Sequence, residues 1–187
     1  MSATASSSAL VTGDEFIRLH GDESGIELVN GVIVRLPMPG TDHGIVCGNV
    51  YHFIREVVKA GNLGRVMTND TFVRTRTNPD GYRGADVAFV SYDNLPATVP
   101  HPKGPLIPPI ELVAEVRSPS DAYSEVATKA YEYLDAGVKV VLVVDPETNS
   151  VGVFRPNELP QRFHNGDVVT LPDVLPTFAV PVGKFFE

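Results

Sequence analysis

The stretch from Ile110 to Asp145, IELVAEVRSPSDAYSEVATKAYEYLDAGVKVVLVVD, decides the fold. Its two ends, Ile110–Val116 and Val138–Asp145, are short valine-rich apolar runs bounded by chain breakers, the pattern of strands buried on both faces. Between them Ser118-Pro119-Ser120 ends the first strand. Ser120 or Asp121 supplies the cap of a helix running to about Ala136, and Gly137 its left-handed stop. A strand, a crossover helix and a second buried strand make the two strands parallel neighbours. The expectation is an α/β chain built on an α+β mixed sheet.

One residue is out of place in that first strand. Glu115 sits inside ELVAEV, where an unpaired charge is costly, so it needs a partner. A metal ion is one candidate. An ion pair is the other, with Arg117, which shares its face at i+2 if the strand continues, or with Lys129 on the crossover helix. Lys129 could instead pair at the surface with Glu125, one turn away. Asp86 opens the strand DVAFVS after the turn-prone NPDGYRGA, where it is either a turn residue or a ligand. Asp86 and Glu115 converge only if their strands are adjacent. Two converging carboxylates and a cation are the minimum kit for phosphodiester hydrolysis with a hard divalent ion, Mg2+ or Mn2+.

Upstream, Thr12 and Glu15 form a capping-box pattern before a short helix. Asn30-Gly31 between IELV and VIVR is a hairpin signal, and Glu27 in its first arm is another strand-end carboxylate. Thr41 or Asp42 can cap a helix whose apolar residues recur at helical spacing from Ile45 to Val58, with Gly61 ending it. His43 lies in its first turn, as a cap-region histidine or as a site residue touching phosphate or water. Cys47, four residues on among Ile45, Val46 and Val50, reads as core rather than as half of a Cys-His nucleophile pair. Strand patterns follow at about 65–69, 70–76 and 84–91. Arg74, Arg76 and Arg83 form either a solvated strand face or a phosphate-contacting edge. A proline-rich irregular loop spans 92–109, and after Asp145 the chain reads as hairpins and short strands.

The chain has 187 residues, 43% of them apolar, enough for one hydrophobic core. Residues 12–187 read as a single domain and 1–11 as a disordered polar tail. A net charge of -8 argues against a protein that grips nucleic acid mainly through phosphate contacts, but not against an enzyme whose clustered carboxylates hold cations. The lone Cys47 allows no internal disulfide, which suits a reducing compartment. The N-terminus lacks the pattern of a signal peptide, and the longest apolar run, Val140–Val144, is far short of the roughly 20 residues of a membrane helix. A cytoplasmic location is the expectation.

Three strings carry a resemblance: PPIELVAEVRSPSDAYSEVATKAYEYLDAGVKVVLVVDPETNSVGVFR (108–155), ELVNGVIVRLPMPGTDH (27–43) and GADVAFV (84–90). Together they resemble a bacterial family described as putative restriction endonucleases, within the PD-(D/E)XK nuclease superfamily, over roughly residues 12–183. The resemblance implies a restriction-endonuclease-like core with flanking helices and added β-hairpins, and Mg2+-dependent cleavage of DNA by a homodimer. Asp86 then looks like the aspartate of the PD half-motif and Glu115 like its acidic partner, the two metal ligands. Lys129 looks like the motif lysine moved to the helix, Glu27 matches the early acidic position, and His43 matches a histidine common in the family. Two departures stand out. Ala85 precedes Asp86 where the family usually has proline, and Arg117 occupies the motif-lysine position, so that role is divided between Arg117 and Lys129, with Lys129 favoured. Arginine stays protonated and cannot act as a base. The alternative is a non-catalytic dimeric scaffold or binding protein on the same fold.

Overall fold

The computed structural model describes residues 10–187, so most of the tail expected over 1–11 lies outside the described residues. Val11 is already tied down, its amide donating to Gly31 O at 2.8 Å. Helix α1 (Gly13–His20) is capped by Thr12, whose hydroxyl accepts from Glu15 N. Strands β1 (Ile26–Val29) and β2 (Val32–Arg35) pair antiparallel across Asn30-Gly31. Both turn residues have positive φ, 51° and 76°, as the tight hairpin turn requires. Helix α2 (Thr41–Ala60) starts one residue before the earliest expected helical position, with Gly40 rather than Thr41 or Asp42 at its cap.

Next come β3 (Gly64–Arg76), β4 (Gly81–Ser91) and β5 (Ile110–Val116). Helix α3 (Tyr123–Ala136) ends at Gly137 with φ 106°. It begins later than Ser120 or Asp121 because the Asp121 carboxylate turns back to accept from Ser118 N, holding a turn instead of capping a helix. Strands β6 (Val138–Asp145), β7 (Ser150–Phe154) and β8 (Gln161–His164) continue the chain. A hairpin of β9 (Val168–Leu171) and β10 (Leu175–Pro181) and a closing 3-10 turn, Val182–Phe186, complete it.

Eight strands form a mixed sheet in the order β2-β1-β4-β5-β6-β7-β8, with β3 also paired to β4. The β5–β6 pair is parallel, from Ile110↔Val138 to Val116↔Val144, and α3 makes the crossover. Its other neighbours are antiparallel. Alternation along β5 separates two cores. Leu112, Ala114 and Val116 pack with Val46, Val50, Ile54 and Val58 of α2, whereas Val113 packs with Val126, Ala130 and Tyr133 of α3. Glu111 and Glu115 share the parity of Val113 and so point towards the α3 side.

β3 departs from the two strands expected at 65–69 and 70–76. It is one strand with a bulge: Thr68 faces Val87 and Thr71 faces Ala85, so Asn69 and Asp70 together stand opposite Asp86. Both bulge residues have positive φ, 69° and 54°, a conformation that Asn and Asp tolerate better than other side-chain-bearing residues. The bulge leaves strand pairing intact on either side and pushes Asp70 inward.

Leu142, on β6, is fully buried, so Leu142→Ala is expected to lower unfolding free energy by about 2–5 kcal/mol. Leu159, 90% exposed, changed to Ala should stay within about 0.5 kcal/mol. Urea denaturation of both variants checks the contrast.

Candidate functional site

Glu115 is 5% exposed and both its oxygens are taken. Oε2 accepts from Lys129 Nζ at 2.8 Å and Oε1 from the Tyr133 hydroxyl at 2.7 Å. Lys129 and Tyr133 are one turn apart on α3, so a single helix face serves the carboxylate that the β5 alternation aims at it. Lys129 Nζ also lies 2.9 Å from Glu27 Oε1 and donates to Gly84 O at 2.9 Å. The ammonium thus makes two hydrogen bonds and a second ion pair. The surface pairing with Glu125 does not form, because Glu125 accepts from Ala122 N at the helix start.

Glu27, 1% exposed, is the deepest member. Its Oε1 accepts from Gly84 N at 3.1 Å and its Oε2 from Arg83 Nη1 at 2.7 Å. Arg83 directs Nε and Nη2 onto Glu132 of α3 at 2.7 and 2.9 Å. Arg83 is therefore neither a solvated strand residue nor a free phosphate contact: it clamps β1 and α3 to β4. A side chain at Gly84 would crowd the bulge, since a Cβ there would stand 3.2 Å from Asp70 Cβ.

Asp86 lies one rung beyond the Val87↔Ala114 pair, opposite Glu115. Its Oδ2 accepts from Val116 N at 2.7 Å and sits 3.5 Å from His43 Nε2. Asp70 reaches the same place from the bulge and makes no hydrogen bond among the described residues. Its carboxyl is held above the ordinary value by burial and by the negative charge of Asp86. Burial pushes Glu115 up to about 8, Asp86 adding to the rise and Lys129 opposing it. For Glu27 burial acts upwards too, yet Lys129 and Arg83 outweigh it and the carboxyl lies below its usual range. The hydrogen bond with Asp86 favours protonated His43. Lys129 is held firmly protonated: burial works against its charge, but Glu115 and Glu27 prevail.

Asp86, Glu115, Lys129, Glu27 and His43, anticipated from sequence, thus come together. Arg117 does not join them. β5 ends at Val116, so the i+2 alternation is not continued, and the guanidinium pairs with Asp145 at 3.3 Å and with Glu147. The lysine rather than the arginine accompanies Glu115. Asp70, Tyr133, Glu132 and the clamping role of Arg83 were not anticipated. Only Asn69-Asp70, a turn-prone pair within a strand pattern, hinted at the bulge. Cys47 packs against the α2 core, as expected, and its Sγ also lies 3.4 Å from His43 Nδ1. Burial, with Asp86 and Glu115 behind it, raises the thiol well above its ordinary value, the opposite of an activated nucleophile.

Five carboxylates (Glu27, Asp70, Asp86, Glu115 and Glu132) face two permanent cations, Lys129 and Arg83. The surplus gathers at the outer end, where Asp86 and Asp70 are only partly buried. Carboxylate oxygens of this kind are the donors that a hard divalent cation takes.

A family model described as "Uma2: Putative restriction endonuclease" matches residues 14–183. The chain belongs to this family. A crystal structure of a protein from Anabaena variabilis, described as a putative nuclease, has a TM-score of 0.83 to it. The two are 22% identical over 94% of this chain and 97% of that one, a likeness that shows a shared restriction-endonuclease-like fold. No curated protein matched. Every residue of the cluster lies inside the Uma2 match, and none of the described helices is long and apolar enough to cross a membrane.

Changing Glu27 to Gln removes the buried carboxylate that Arg83 and Lys129 share, leaving them only Glu132 and Glu115, and should cost about 3 kcal/mol at neutral pH. The folded carboxyl lies below its reference of 4.5. Its contribution is therefore full above 4.5 and is lost as pH falls through the folded value. Urea unfolding of wild type and Glu27→Gln should show the gap narrowing as pH falls below 4.5.

Proposed function

We propose that the chain is a metal-dependent endonuclease that hydrolyses phosphodiester bonds of DNA, with Mg2+ or Mn2+ held by Asp86 and Glu115. The observation that carries this reading is the placement of Asp86 opposite Glu115 on adjacent strands, with Lys129 bound to the inner carboxylates and the outer ones compensated only by His43. Membership of a family described by nuclease activity supports it. When bound, the ion supplies Lewis acidity to a phosphate oxygen and a lowered pKa to an attacking water.

The chain's own groups prepare that event. The Val116 amide fixes the rotamer of Asp86, and Lys129 with Tyr133 fixes that of Glu115. Lys129 holds Glu115 and Glu27 together and offsets their charge; kept protonated by both, it acts by positioning and not as a base. Glu27 assists by anchoring Lys129 and Arg83. His43, at the partly exposed end of the site, can donate to a phosphate oxygen in its protonated form. Cutting both strands in one binding event takes two sites. Strand β2 ends the sheet with Val32 and Val34 exposed, an edge through which a homodimer can form.

A second reading, a non-catalytic binding protein on the same fold, is favoured by the net charge of -8, which repels a polyanion wherever cations do not offset it. Plasmid nicking separates the two. Wild type with Mg2+ or Mn2+ should cleave, and folded Asp86→Asn and Glu115→Gln should each lose roughly 100-fold or more. Cleavage unchanged in both variants would refute the site, and a clean wild type inert on DNA and RNA would favour the binding role. Mn2+ should also raise the melting temperature of wild type, and less so that of Glu115→Gln.

A further inference from the structure

The cluster contains a second donor set, of different chemistry from the carboxylate pair. His43, Cys47 and Asp86 each offer one ligand atom, and the three atoms lie within 4.8 Å of one another. His43 and Cys47 are four apart on α2 and therefore share a helix face, the spacing by which one helix can give two ligands to one ion. Asp86 comes from β4, beneath the start of that helix, and its Oδ2 is already oriented by the Val116 amide.

Two of the three separations are close to those around a tetrahedral ion. At ordinary zinc bond lengths a nitrogen and a sulfur on one metal stand about 3.5 Å apart, and a nitrogen and an oxygen about 3.4 Å. His43 Nε2 lies 3.8 Å from Cys47 Sγ and 3.5 Å from Asp86 Oδ2. Closing the set requires the His43 ring to turn, because Nδ1, at 3.4 Å, stands nearer Cys47 Sγ than Nε2 does. Its donors also differ from those of the Asp86–Glu115 pair: a thiolate and an imidazole select a borderline transition metal over Mg2+.

The geometry points to a separate transition-metal site formed by His43, Cys47 and Asp86, taking Zn2+ with a fourth position open to solvent. Binding replaces the thiol proton by the metal, and that proton leaves to solvent. The site shares Asp86 with the proposed nuclease pair and rests on that reading only to this extent. Because one carboxylate serves both, Zn2+ should compete with or modify Mg2+ binding at Asp86.

Co2+ titrated into the purified full chain, followed by absorbance, tests the assignment. Expected is a near-ultraviolet sulfur-to-cobalt charge-transfer band that saturates at one Co2+ per chain, accompanied by the visible bands of a tetrahedral ion and bleached by Zn2+. Cys47→Ser should abolish the charge-transfer band, and His43→Asn should lower the Co2+ affinity. A wild-type spectrum without that band, or a band that persists in Cys47→Ser, would overturn the site. Folding of the variants is checked by circular dichroism, and on unaltered wild type Zn2+ should protect Cys47 from alkylation where Mg2+ does not; equal protection overturns the assignment. Glu115→Gln separates this inference from the nuclease reading. It removes a ligand of the Mg2+ pair and should keep the cobalt band; loss of the band in a folded Glu115→Gln chain would also overturn the three-ligand site. A band in a protein that, assayed separately with Mg2+ or Mn2+, cleaves neither DNA nor RNA leaves the metal site standing while the nuclease reading falls.

Discussion

Two carboxylates, Glu27 and Glu115, are buried in an otherwise apolar sheet and share one ammonium group. Each alone would carry a desolvation penalty of several kcal/mol, and Lys129 reaches both at 2.8–2.9 Å. This sharing ties three elements together: β1 supplies Glu27, β5 supplies Glu115 and α3 supplies the lysine. The crossover helix must sit where Lys129 meets the strand before it, and the parallel β5–β6 pair sets that place. Arg83 adds a second clamp between the same helix and β1. The structure thus fixes the orientation of Glu115 through contacts that also hold the first hairpin to the sheet.

Charge is graded across the site. At its inner end the carboxylates are matched by Lys129 and Arg83, and Glu27 lies below its usual pKa. At its outer end Asp70 and Asp86 face each other with less compensation, and Asp70 and Glu115 are both raised. A gradient of this kind leaves attraction for a cation at the mouth while the interior stays stable. The bulge in β3 contributes directly, because an uninterrupted ladder would not have pushed Asp70 towards Asp86. Gly84, with no side chain, leaves Asp70 its space and offers both its amide and its carbonyl to the inner network.

Helix α2 approaches the same mouth from the opposite face of the sheet. Its apolar stripe, Val46, Val50, Ile54 and Val58, packs on the strands, and the first turns project beyond that core. His43 and Cys47 therefore stand at a boundary, one near Asp86 and the other between imidazole and apolar packing. The same packing decides how far both side chains can reach.

Much of this architecture was legible before any coordinates. Valine-rich runs at 110–116 and 138–145, Gly137 after a helical pattern, and Asn30-Gly31 between two strand patterns are local signals whose physics lies in backbone sterics and side-chain periodicity. A glutamate within an apolar strand likewise announced that a partner existed. The chain alone also determined, through its resemblance, which carboxylates to look for. It could not decide which cation serves Glu115, because the choice between Arg117 and Lys129 depends on β5 ending at Val116 and on the rotation of α3. Nor could it bring Asp70 to Asp86, since a bulge is set by register between strands, or show Tyr133 and Glu132 as partners rather than core and surface. Those choices belong to tertiary structure: they depend on distances between elements far apart in the chain, where burial makes each polar group take the partner that packing brings within reach.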